Sequence, residues 1–279
     1  MSAAAVKKLE RSSGRARISF KNGPDGTALD DLYQKGCTKV RFPRHDGARP
    51  QAVLLNTSGG LTDGDELVTE IEWGIGTGAV ITSQAAERIY RSRGGDACIR
   101  TELVVARDAT ALWVPQETIL FDGARLQRKT LAKLTGSSRL LAIESLVFGR
   151  TAMGEVVRTG SIDDGWRVQI DGKLEFADRL RINSDNAPFD AVLSSSAGAN
   201  GHVAMATIVF VDRDCGRHVP ALRSAMSQCR IVGGVSNLGP LLHLRLLAAT
   251  GHALRDGLVS VFDVLVRELD ETLPRVWQI

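Results

Sequence analysis

The chain has 279 residues, of which 43% are hydrophobic and 24% charged, the proportions of an ordinary globular protein rather than a disordered or low-complexity one. Its 35 lysines and arginines nearly balance 32 aspartates and glutamates, and the basic residues are scattered, so no nucleic-acid partner is expected. No apolar run reaches the roughly 20 residues of a membrane helix.

The basic N-terminal stretch with Lys7, Lys8, Arg11, Arg15 and Arg17 lacks the apolar core of a secretory signal. Cys37, Cys98, Cys215 and Cys229 stand far apart, which suggests reduced thiols in a cytoplasmic protein rather than a disulfide scaffold.

From Arg15 to about Phe210 the pattern is one of short strands. Apolar alternation or short apolar runs mark Arg15 to Phe20, Lys39 to Phe42, Gln51 to Asn56, Glu66 to Trp73 and Ile99 to Ala106. The same signal returns in Arg139 to Val147, Trp166 to Ile170, Lys173 to Ile182 and Val203 to Val211. Between them fall Asp25-Gly26, Asp46-Gly47, Asp63-Gly64, Gly94-Gly95, Asp122-Gly123, Asp164-Gly165 and Asp171-Gly172, dipeptides that tolerate the positive φ of tight turns. This spacing predicts a mainly antiparallel β architecture. The segment Gly74-Ile-Gly76-Thr-Gly78-Ala79 satisfies a dinucleotide-binding pattern formally. The next residues, Val80-Ile81-Thr82, are β-branched rather than helix-forming, so the segment reads as a hairpin turn.

A faint repeat runs through the middle of the chain. Glu87, Glu117 and Glu144 each precede an apolar or aromatic run, at intervals of thirty and twenty-seven residues. A period near thirty in β-rich sequence suggests stacked coils of similar strands, with the three glutamates in one column. The alternative is that each glutamate pairs with a nearby arginine: Arg88, Arg91, Arg125 or Arg150.

Two helices are expected late in the chain. Pro220 to Cys229 forms a short one, and Leu254, Leu258, Val261, Phe262, Leu265 and Leu269 mark an amphipathic one that covers a sheet, capped by Thr250 and stopped by Pro274. No linker divides residues 1–279, so a single domain is expected. The turn Asn56 to Asp65 is rich in oxygen, with Asp63 and Asp65 as candidate hard-cation ligands or ordinary surface groups. Cys215, His218 and Cys229 are read as free thiols and a surface histidine rather than a zinc site. A nucleophile elbow, a zinc-protease helix and a phosphate loop are all missing from the sequence.

Several blocks resemble the urease accessory protein UreD family, also called UreH: Leu55 to Leu61, Thr82 to Ser92, Trp113 to Arg125, Glu144 to Glu155, Trp166 to Val168, Asp171 to Lys173 and Leu273 to Trp277. The resemblance implies a mainly β fold of stacked, β-helix-like layers of short strands with a few α-helices. It implies a non-enzymatic maturation factor that joins UreF and the GTPase UreG on apo-urease and helps insert nickel, with an internal route for the metal. Nickel in transit needs weak oxygen or nitrogen ligands. Asp63, Asp65, Glu87, Glu117 and Glu144 are the candidate residues for a transient nickel route. The alternative is a structural adaptor that bridges UreF to urease without touching metal.

Overall fold

In the computed structural model, residues 10–44 and 49–277 are described; Lys7, Lys8, His45 and the Asp46-Gly47 turn lie outside them. Alternating residues produce an opening hairpin of β1 (Ser13–Gly23) and β2 (Gly26–Gly36), which turns at Asp25-Gly26 with Gly26 at φ 106°. Strand β3 (Thr38–Arg41) leads to β4 (Gln51–Asn56) and β5 (Glu66–Trp73). The next turns of the chain repeat that path: β6 (Gly78–Ser83), β7 (Glu87–Ile89) and β8 (Ala97–Val105), then β9 (Thr110–Trp113), β10 (Thr118–Leu120) and β11 (Arg125–Leu134). A fourth passage uses β12 (Arg139–Phe148) and β13 (Ser161–Ile170).

Equivalent strands of successive passages pair in parallel. β4, β6, β9 and β12 form one face, and β5, β8, β11 and β13 a second. A narrow third face joins Leu61 to Ile89, β7 to β10, and β10 to the end of β12. The period near thirty is therefore a stack of coils, because no single coil can bury its inward side chains alone.

Three expectations change here. The central pairing is parallel, since each turn leads to a new face instead of back along its own strand. For the same reason Gly74 to Gly78 is a corner between the second face and the first face of the next coil, not a hairpin. Asp164-Gly165 is no turn either but lies within β13. True hairpins sit at the ends of the stack, as at Asp171-Gly172, where both residues have positive φ (50° and 78°) between β13 and β14 (Lys173–Asn183).

After α1 (Phe189–Ser194), the strand β15 (Ala204–Val211) adds antiparallel to β12. The helix α2 (Val219–Ser227) precedes two strands that sequence reading missed, β16 (Val232–Asn237) and β17 (Leu241–Ala248). The last long element, α3 (Gly251–Glu268), lies where the apolar spacing places it. Leu254, Leu258, Val261, Phe262 and Leu265 share one core cluster with Ile143 of β12, Ile208 of β15 and Leu244 of β17, and Thr250 Oγ1 accepts the Ala253 N–H at 3.1 Å. No helix among the described residues is long and apolar enough to cross a membrane.

Truncating Leu258, buried in that cluster, is expected to destabilise the fold by about 2–5 kcal/mol, against about 1 kcal/mol for Thr250→Ala, which removes only the cap. Urea unfolding of the two variants checks the order.

Candidate functional site

Strand alternation sends every second residue of the second face into the coil, and most are apolar. In register, Thr69, Thr101 and Thr130 align across β5, β8 and β11, and Arg128 sits beside Asp164 on β11 and β13. From the opposite face β12 contributes Glu144, between Ala142 and Leu146. These residues form a polar seam. On one side lies the cluster of Phe20, Trp73 and Trp166, and on the other that of Leu61, Ile89 and Phe148.

The seam is held by a buried triad in which Arg128, Glu144 and Asp164 are 5%, 4% and 6% exposed. Arg128 donates to both Asp164 oxygens, Nε at 2.9 Å and Nη2 at 2.6 Å. The same Nε lies 3.1 Å from Glu144 Oε2, which gains charge attraction but no directed hydrogen bond. Glu144 Oε1 accepts the Thr130 hydroxyl at 2.6 Å. Burial pushes the Glu144 carboxyl up to about 7, Arg128 opposes the rise, and the Asp164 charge adds to it. Burial pulls Arg128 the other way, and the two carboxylates more than reverse it.

A cavity of about 220 Å³ opens beside the seam, with Asn56, Glu87, Trp113, Gln116, Arg128 and Glu144 in its walls. Asn56 Nδ2 donates to the Glu87 oxygens at 3.0 and 3.2 Å, and burial raises the Glu87 pKa against that hydrogen bonding. Buried Gln116 Nε2 on this lining lacks a hydrogen-bond partner, and the Trp113 indole, as a side-chain donor, lowers the Glu144 pKa. Within the triad two carboxylates, Glu144 and Asp164, face one buried guanidinium, while the cavity wall carries Glu87 and Glu144 beside Arg88 and Arg128. Uncompensated buried charge is costly, so the cavity is suited to a proton or a cation.

Of the five residues singled out from sequence, Glu87 and Glu144 line this cavity. Glu117 lies in a cleft against α3, 3.6 Å from Arg255. Asp65 accepts the amides of Ser12 (2.7 Å) and Thr62 (2.8 Å), and Asp63 pairs with Arg11 at 3.1 Å, so these two tie their turn to the first strand.

The glutamates do not form one column. Glu87 registers with Thr118 and Thr118 with Leu146, so Glu117 and Glu144 fall one and two residues out of step. Of the arginines expected, only Arg88 acts on a glutamate: its backbone N–H donates to Glu87 Oε1 at 3.2 Å and its charge lowers the Glu87 pKa. Arg91 binds Asp122, Arg125 binds Asp96 and Arg150 binds Glu155, while the glutamates take Asn56, Arg255 and Arg128. Among the described residues no three His, Cys, Asp or Glu side chains converge as a metal-holding group.

His218 is buried rather than superficial, edge-on to the Phe210 ring, and Cys229 contacts the Ser260 hydroxyl at 3.2 Å. Sequence reading missed Arg128, Asp164, Trp113 and Gln116. Strand parity carried the signal for the first two, since both occupy inward positions of alternating strands.

A raised carboxyl pKa means that the folded chain holds the Glu144 proton more tightly than the unfolded chain. Its stabilising contribution is therefore fully present below the ordinary carboxylate range and is lost as pH rises through about 7. Relative to Glu144→Gln, which does not titrate, the unfolding free energy is expected to fall by on the order of 2 kcal/mol between about pH 5 and about pH 8. Denaturant titrations of both proteins across that range check the slope.

Comparison with known proteins matches residues 12–278 to a family model described as UreD urease accessory protein. The chain is 38% identical over 281 residues to the urease accessory protein UreD of Sinorhizobium medicae (strain WSM419), covering 99% of each chain. It is 39% identical over 271 residues to that of Chelativorans sp. (strain BNC1), covering 97% of this chain and 95% of the relative. It is 38% identical over 276 residues to urease accessory protein UreD 1 of Brucella melitensis biotype 1, with 97% and 95% covered.

Proposed function

This chain belongs to the UreD urease accessory protein family, and from that membership we propose that it is a non-enzymatic urease maturation factor that helps deliver nickel to apo-urease. It acts in this reading with UreF and the GTPase UreG in the cytoplasm, and nickel is its cargo rather than a resident cofactor.

The observation that carries the nickel step is the pair of carboxylates, Glu87 and Glu144, in the wall of the interior cavity. Glu87 stands at one part of the lining and Glu144 at another, each with amide or hydroxyl groups beside it and no thiolate or histidine cage. Oxygen ligands of this kind hold a borderline dication weakly and release it readily. A passing dication compensates the buried carboxylates, displaces a proton held at Glu144, and meets no group that would trap it. Glu117 extends the route outward into the cleft against α3. Asp63 and Asp65 have oxygens engaged by Arg11 and by backbone amides, which supports a role in the turn instead.

The adaptor reading, in which this chain bridges UreF to urease without metal contact, is favoured by one feature. Arg128 already answers the charge of Glu144 and Asp164, as a purely structural ion pair would.

Nickel content of urease, measured per assembled complex, separates the two. Glu87→Gln and Glu144→Gln keep size and hydrogen-bonding capacity but remove charge, and each is expected to lower nickel loading about tenfold, equivalent to about 1.4 kcal/mol on the rate-limiting step. Asp63→Asn is expected to leave it unchanged. Full loading by both Gln variants, with complexes intact, would favour the adaptor.

A further inference from the structure

Two hollows meet at a pair of glutamines, of which Gln116 is the buried one. The interior cavity and a second, outer cleft of about 480 Å³ beneath the start of α3 share only Gln84 and Gln116 in their walls. The cleft is otherwise lined by Glu117, Gly251, His252, Arg255 and Val276.

Gln116 is buried, and its backbone N–H is fixed on Ser83 Oγ at 2.9 Å. Its side chain is held at one end only. Oε1 accepts from Arg255 Nη1 at 2.7 Å, whereas Nε2 is fully buried with no partner. A buried amide donor without a partner disfavours the closed position, because outward rotation lets water satisfy it. Arg255 supplies the opposing hold. It is itself anchored on the C-terminal segment, through the Val276 carbonyl at 2.5 Å and the Trp277 ring at 5.2 Å, and Trp277 is bound to the Val114 carbonyl at 2.9 Å.

We propose that Gln116 is a latch closing a second mouth of the interior cavity, and that Arg255 keeps it shut. The first approach runs along the lining to exposed Gly59, on another side of the coil. The second opens beside the Glu117 carboxylate, which suits a small hydrated cation. Displacing the C-terminal segment frees Arg255 and so releases the latch. The inference concerns access to the cavity and holds whatever the cargo is.

Thiol reactivity tests it. Thr118 lines the cavity and is buried, so Thr118→Cys places a reporter inside. The full-length chain is treated with methyl methanethiosulfonate, whose sulfur forms a mixed disulfide with the thiolate as methanesulfinate departs. Peptide mass spectrometry reads each cysteine separately, with buried Cys215 as the internal reference.

Loss of a charge-assisted hydrogen bond is expected to raise labelling of the Thr118→Cys reporter about tenfold or more when either Gln116→Ala or Arg255→Met is added, with Cys215 unchanged. A reporter rate in Gln116→Ala equal to the parent's would overturn the latch. No acceleration in Arg255→Met would overturn the role of Arg255, and this variant carries the test alone if Gln116→Ala does not fold. Equal acceleration at Cys215 would mean general loosening, and the proposal would fall.

Discussion

Parallel, in-register pairing of successive coils is the constraint on which the rest of this protein depends. Once β5, β8, β11 and β13 are aligned, the parity of each strand decides which side chains meet inside. A slip of one residue in any coil would turn Arg128 or Asp164 to solvent and bring Lys129 or Asp163 into the interior. The apolar positions flanking the seam hold the register, because a slip of any one strand would expose its own buried residue, Trp73, Leu103, Leu126 or Trp166. Stacking and seam are two consequences of one alignment.

The polar seam works against apolar packing. A coil interior filled with valine and leucine would be at least as stable, since buried ion pairs rarely outperform well-packed apolar groups. Here the seam interrupts the core with an ion triad, a row of threonines and a cavity whose polar atoms are incompletely paired. Such a feature gives up stability, and within the triad two carboxylates, Glu144 and Asp164, face the single guanidinium of Arg128. That arrangement favours protons and cations over anions, in keeping with the proposed dication cargo.

Helix α3 links this interior to the outside of the molecule. One face of the helix buries Leu254, Leu258 and Phe262 in the core it shares with β12, β15 and β17, while Arg255, one residue past Leu254, reaches the coil corner at Gln116 and Glu117. The strand that carries Glu144 inward therefore also shares that core with the helix, through Ile143 and Val147.

Periodicity alone determined a good deal. A repeat near thirty residues in strand-rich sequence pointed to stacked β coils, and apolar spacing with Thr250 placed α3. The Asp-Gly turns pointed to an antiparallel pairing that the centre of the stack does not use. The family resemblance was also legible, in motif blocks spread along the whole chain. Tertiary structure decided what lies across the interior. The three glutamates looked equivalent by their surroundings in sequence, yet the corners between β9 and β10 and between β6 and β7 differ in length, so one glutamate faces Asn56, one Arg255 and one Arg128. Arg128 and Asp164 are thirty-six positions apart and meet only because adjacent coils stack in parallel. A pairing of that kind has no local signature, since the register that creates it is set by the summed burial of every coil rather than by the residues that meet.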